Sequence, residues 1–154
     1  MNNLTEYEKQ EITEYNEVYF LGLNASKIKG SPDQPHNQGY DDDRGDYTVV
    51  LKDHLCYRYE ILDFLGKGSF GQALKCYDYK TNEFVAVKII RNKKRFHHQA
   101  GVEVNILTYL KENDPEDVNN IIRIKDYSIF RKHLIISFEL LSINLYEFIK
   151  NNNF

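Results

Sequence analysis

Cysteine is scarce: Cys56 and Cys76 are the two in 154 residues. They have no cysteine-rich company and no metal-type spacing, so reduced structural thiols are expected over a disulfide. The five histidines, among them the pair His97-His98, lack a third convergent ligand, so zinc is not predicted. No apolar run reaches the roughly 18 residues of a membrane span. The polar start Met1-Asn2-Asn3-Leu4-Thr5 lacks the apolar core of a signal peptide. A formal net charge of −3 argues against a general polyanion binder. Nucleic acid and membrane are therefore not expected partners, and the cytoplasm or nucleus is the expected location. Asp41-Asp42-Asp43 lacks the alternating ligands and terminal Glu of a calcium loop, and is read as a loop that caps or pairs with basic residues. The run Arg91, Lys93, Lys94, Arg95 is read as a solvated connector rather than an import signal.

Glycine, by contrast, is concentrated where it matters. In Leu65-Gly66-Lys67-Gly68-Ser69-Phe70-Gly71-Gln72-Ala73, three glycines at x, x+2 and x+5 let the backbone turn tightly and bring N–H groups against phosphate oxygens. The same spacing marks dinucleotide-binding turns, but those require a helix straight after the last glycine. Here Gln72 to Tyr79 reads as a strand, and the polar Lys80-Thr81-Asn82 turn leads into another. In Val85-Ala86-Val87-Lys88-Ile89, alternation puts Ala86 and Lys88 on one face and the branched residues on the other. Ala86 leaves room for a flat base and Lys88 offers a point charge to phosphates. Ala100, Glu103, Leu107 and Leu110 recur at helical spacing. An acid on that inward stripe needs a partner, since leaving it buried and unpaired costs roughly 3–5 kcal/mol. A Lys88–Glu103 ion pair is predicted.

The coarse element order follows from local signals. Thr5-Glu6-Tyr7-Glu8 is a capping box that opens a short helix toward Tyr15. Val18-Tyr19-Phe20-Leu21 is read as docking on another surface, and Gly22 to Asp46 as an irregular connector. Strands are expected at Tyr47 to Lys52, Tyr57 to Leu65, Gln72 to Tyr79, around Val85 to Ile89, near Ile121 to Tyr127, and at His133 to Glu139. A helix is expected from about Phe96 to Lys111, and an amphipathic one over Asn144 to Lys150. The sum is an α+β lobe with a five-stranded antiparallel sheet and one main helix, preceded by a small segment. A second full domain is not expected at this length.

Asp53-His54 with Tyr57-Arg58-Tyr59-Glu60, the glycine loop, the run Ile89 to His97, and Phe138 to Tyr146 together resemble the dual-specificity tyrosine-regulated kinases, the DYRK family. Tyr19 to Ala25 and Gly39 to Tyr47 resemble the accessory segment of its class 2 branch. The resemblance implies an accessory segment with its Asp-His box over 1–56 and a kinase N-lobe, hinge and first following helix over 57–154. It implies an enzyme that binds ATP and, in its full-length members, Mg²⁺, autophosphorylates a tyrosine and then phosphorylates serine and threonine on protein substrates. Lys88 and Glu103 would be the catalytic pair of the lobe. Gly66, Lys67, Gly68, Ser69, Phe70, Gly71 and Gln72 would cover the phosphates. Leu65, Ala73 and Ala86 would enclose the adenine, Phe138 would be the gatekeeper, the Glu139-Leu140-Leu141 backbone would meet the adenine edge, and Asn144 would lie near the ribose. Ala73 departs from the family's valine. No HRD-type loop, DFG or APE occurs in these 154 residues, so the metal ligands and the C-lobe that binds protein substrates are absent and the chain alone is expected to be inactive. The sequence leaves open the front part of a longer kinase, a short non-catalytic binding or decoy module whose accessory segment engages protein partners, and a decayed remnant.

Overall fold

The computed structural model describes residues 3–141. The predicted helix at 144–150 and the ribose residue Asn144 lie outside them. Helix α1 (Glu6–Glu11) begins at the expected box: Thr5 Oγ1 accepts from Glu8 N at 3.2 Å, and Glu8 Oε2 accepts from Thr5 N at 2.9 Å. A single 3₁₀ turn, Ile12–Glu14, follows. The connector beyond it contains one short helical segment, α2 (Pro35–Gln38), in which His36 and Asn37 hold left-handed backbone at φ 55° and 58°. Asn37 is fixed there because its side-chain amide donates to Arg131 O at 2.7 Å.

Strands β1 (His54–Leu55), β2 (Tyr59–Gly68), β3 (Gly71–Asp78), β4 (Glu83–Ile90), β5 (Ile124–Phe130) and β6 (His133–Glu139) form one antiparallel sheet in the order β1-β2-β3-β4-β6-β5. The five expected lobe strands are present, and the Asp-His box adds a sixth of two residues. Tyr47 to Lys52 is not a strand: Tyr47 makes one isolated bridge to Asp41. Its backbone carbonyl instead takes the Gln72 side-chain amide at 2.7 Å, and its hydroxyl accepts from Arg131 at 2.9 Å. Side-chain capture of this kind diverts a backbone from ladder pairing.

Alternation in β4 and β6 divides the interior in two. Val85, Val87, Ile89 and Ile135 join Leu74, Ile61, Tyr59 and Phe130 on one face, covered by Tyr40 and Tyr47 of the front segment. Ile90, Leu134, Ile136 and Phe138 face the other way, against Phe96, Ala100 and Val104 of α3 (Lys94–Asn113). The sheet is thus packed between the front segment and one helix. Phe20 is held as expected: Tyr57 O accepts from its N–H, and its ring stacks on Tyr79 at 4.7 Å between centroids.

The front segment is fastened by a buried charge network. Lys27 Nζ donates to Glu8 Oε1 at 2.7 Å, Asp53 Oδ1 at 2.9 Å and Leu21 O at 2.9 Å. Arg131 reaches both oxygens of Glu11, at 2.9 and 2.8 Å, and its guanidinium lies 4.0 Å from the Tyr40 ring centre. This explains an unfavourable backbone. Arg131 and Lys132, the two-residue turn between β5 and β6, carry φ 45° and 64° without a glycine or asparagine. The buried guanidinium selects arginine at the first of them.

Candidate nucleotide site

β2 and β3 meet at the predicted glycine loop, which forms a hairpin flap with Lys67 paired to Gln72 and Gly68 to Gly71. Its glycines have three different reasons. A Cβ on Gly66 would meet nothing within 4 Å, so this backbone is open to a ligand. A Cβ on Gly68 would stand 2.7 Å from the Phe70 ring. Gly71 is demanded by the fold itself: its φ is 137° and a Cβ would stand 2.1 Å from Ile89 O.

Beneath the flap, Lys88 Nζ donates to both Glu103 oxygens at 2.9 Å. β4 supplies the lysine and the second turn of α3 beyond Phe96 brings up the acid. Glu103 is less enclosed than the inward stripe implied: its side chain is 38% exposed and that of Lys88 19%. Val104, one residue on, takes the buried position. The 3–5 kcal/mol for an unpaired buried charge therefore does not apply here, and the pair is worth about 1 kcal/mol or less to stability. Its value is positional. Phe70, at the flap tip, lies with its ring centre 4.4 Å from Lys88 Nζ, so the ammonium is held between a carboxylate and an aromatic face.

Ala73 lies opposite Lys88 and Gly66 across the sheet, and Ala86 lies opposite Phe138. These small side chains leave a flat floor, and Phe138 is buried behind it at 7% exposure. Leu65 and Leu141 are exposed at the two edges, while Glu139 and Leu140 are half-buried. Glu139 N donates to Arg123 O at 3.3 Å, so that N–H is already used inside the lobe. The side chains of Lys67 and Gln72 turn to the opposite face of the flap, toward Asp46 and Tyr47 O. Ser69 is exposed at the tip.

An apolar cavity of about 530 Å³ opens beside the ion pair, lined by Lys88, Glu103, Val102, Ile106, Leu107, Ile122 and Phe138, among others. Helical periodicity picked out Leu107 alone of its four aliphatic residues: Val102 and Ile106 lie off the Ala100–Glu103 stripe, and Ile122, expected to open a strand, lies before β5, which begins at Ile124. Arg91 was also misplaced: it is not solvated but bidentate on buried Asp46, at 3.0 and 2.9 Å. Burial would raise the Asp46 pKa, and the Arg91 hydrogen bonds outweigh it to hold the carboxylate below its ordinary range.

A curled antiparallel sheet with a glycine flap over a strand lysine paired to a helix glutamate defines the N-terminal lobe of a protein kinase. The family model for the protein kinase domain matches residues 59–154, and the chain belongs to that family. Within it the chain is a DYRK-family kinase N-lobe. It is 53% identical over 153 residues to human dual specificity tyrosine-phosphorylation-regulated kinase 4, covering 99% of this chain and 29% of that protein. It is 55% identical to the DYRK-family kinase pom1 of Schizosaccharomyces pombe over 98% of this chain and 14% of that one. To the probable serine/threonine-protein kinase dyrk2 of Dictyostelium discoideum it is 53% identical over all of this chain and 17% of the relative. The chain therefore spans less than a third of the length of these relatives.

Proposed function

We propose that this chain is the ATP-gripping part of a dual-specificity protein kinase, one that phosphorylates serine and threonine on proteins and tyrosine on itself. The observation that carries the reading is Lys88 held at 2.9 Å by both oxygens of Glu103 under a glycine flap. Two of the three ammonium donors go to Glu103, and the charge stays directed at the space below Gly66, where open backbone N–H groups can donate to phosphate oxygens. Ala73 and Ala86 form the floor for the adenine, with Leu65 above and Phe138 behind. Gln72 acts on the flap from the far side.

Kinases of this family use ATP with Mg²⁺, which neutralises charge on the phosphates. The residues here do not fit that ion. Among the described residues, the one cluster of three potential ligands is Glu8, Asp53 and His54, away from the flap, and the Lys27 ammonium already bonds to two of its carboxylates. On this reading the described residues hold the nucleotide and supply no cluster of three metal ligands beside the flap.

Titration of a fluorescent ATP analogue against this chain and its Lys88→Ala variant tests the reading. Saturable binding that the variant weakens about tenfold, the value of a lost charge-assisted contact, is expected. Equal weak signals refute the phosphate site. Robust phosphorylation of a serine/threonine peptide by the purified chain refutes the division of labour.

A further inference from the structure

The flap is attached to the front segment at two points on the face away from Lys88, and at its tip through one intermediate residue, Arg91. Lys67, on the β2 side, has its ammonium 3.4 Å from Asp46 Oδ2. Gln72, directly opposite on β3, donates its side-chain amide to Tyr47 O at 2.7 Å. Arg91, just after β4, donates its N–H to Phe70 O at the flap tip at 2.7 Å, and its guanidinium is bidentate on Asp46. Asp46 is 2% exposed, yet Lys67 is on the surface with half of its side chain in water. The carboxylate is itself aimed by its own loop: Asp46 N donates to Asp42 Oδ1 at 2.9 Å, and Asn92 N donates to Gly45 O at 2.8 Å. One buried carboxylate thus holds one strand of the hairpin directly and its tip through a single intermediate residue.

We propose that Asp46 is a positioning residue for the nucleotide loop, and that the front segment acts as a brace that sets the height of the flap over the Lys88 face. The inference rests on reading that flap as the ATP loop. Alternation supports the geometry: Lys67 and Gln72 share a face with Ile89, while Gly66, Ala73 and Lys88 share the other. The brace therefore works from behind and does not compete for the ligand's space. It restricts a hairpin whose residues from Asp63 to Lys67 are all exposed.

Hydrogen exchange on the 154-residue chain, paired with analogue titration, tests this. Asp46→Asn should speed exchange at residues 66–71 by about tenfold or more while β4 and β6 amides change little, as a local rather than global opening requires. Analogue affinity should fall about threefold to tenfold as the flap loses pre-organisation. Lys67→Met should give a smaller effect of the same kind, and the double variant should be no worse than Asp46→Asn alone, because the two act through one contact. Equal acceleration across β4, β6 and the flap would make Asp46 merely structural and overturn the proposal, as would an unchanged flap. Should Asp46→Asn not fold, surface Lys67→Met decides: wild-type exchange at 66–71 overturns the brace. If wild type binds the analogue no better than Lys88→Ala, the nucleotide reading fails, while the exchange data still report on the brace.

Discussion

Replacing Glu8 by glutamine should detach the front segment, and the size of the effect can be worked out. Glu8 is 1% exposed and its carboxylate has no idle oxygen. Oε2 accepts from Thr5 N, while Oε1 accepts from Lys27 at 2.7 Å and from His54 Nε2 at 2.9 Å, with Arg131 at 3.6 Å. The His54 tautomer is set by Tyr57, whose N–H donates to Nδ1 at 3.2 Å, leaving the proton on Nε2. Burial alone would raise the Glu8 pKa, but the hydrogen bonds from His54, Lys27 and Thr5 outweigh it and bring it from 4.5 down to about 2. At about 1.4 kcal/mol per pH unit, the charged form is favoured in the fold by ~3 kcal/mol. A lowered carboxylate contributes fully above its ordinary value and loses that contribution as pH falls toward its folded value. Glu8→Gln should therefore cost ~3 kcal/mol at pH 7 in urea denaturation, and its gap from wild type should narrow by ~2 kcal/mol at pH 3. His54 adds a separate acid sensitivity to both proteins: burial lowers its pKa, so the unfolded chain takes up a proton near 6.5 that the folded chain refuses, and stability starts to fall there. A loss below ~1 kcal/mol at pH 7, or an identical gap at both pH values, would refute the network as the fastening.

The two outer glycines of the flap should behave oppositely. Gly71→Ala puts a Cβ 2.1 Å from Ile89 O at φ 137° and should cost more than ~3 kcal/mol in thermal or urea melts. Gly66→Ala meets nothing within 4 Å and should change stability by less than ~1 kcal/mol while weakening analogue binding. Glu103→Gln, at a half-exposed carboxylate, should move stability by no more than ~1 kcal/mol yet reduce analogue affinity, because Lys88 loses its anchor; unchanged affinity would count against the pair. Ala73→Val adds two methyl groups to the proposed adenine wall and should tighten analogue binding by ~1–2 kcal/mol, read in the same titration; weaker binding would mean the wall has no space for them.

What sequence made legible and what it did not separate along a physical line. The flap, Lys88 and Glu103 were readable because each rests on a short-range rule: glycine spacing, strand alternation and helical periodicity. β6 was readable end to end, since His133 to Glu139 is an apolar run closed by a turn. The network that fastens the front segment follows no such rule. Lys27 meets Glu8 across 19 positions and Arg131 meets Glu11 across 120, and only the folded chain reveals that these residues lie inside. Tyr47 to Lys52 looked like a strand for the same reason. Its pattern fits a pleat, but partners from Gln72 and Arg131, invisible in the local window, claimed its polar groups first. Glu103 shows the limit of periodicity: the stripe placed it on the right side of α3, but at the edge of contact rather than beneath it.

β4 ties these levels together. Val87 and Ile89 sit in the core shared with the front segment, and Ala86 and Lys88 face α3. A displacement of the strand backbone carries the side chains of both faces with it. Loosening Tyr40 and Tyr47 of the front segment from the sheet would thus act on Lys88 through backbone it shares with Val87 and Ile89, in addition to acting on the flap through Asp46. Both routes end at the same ion pair. The front segment is therefore better described as the second face of the lobe than as an appendage, and removing it should expose Leu74, Val85 and Val87, each now fully buried. Burying an aliphatic side chain of this size is worth about 1.5–3 kcal/mol, so three of them amount to a loss comparable to the whole stability of a small domain. A chain starting at Tyr57 should consequently be recovered insoluble or unfolded, and a soluble, cooperatively melting product would overturn this account of the core.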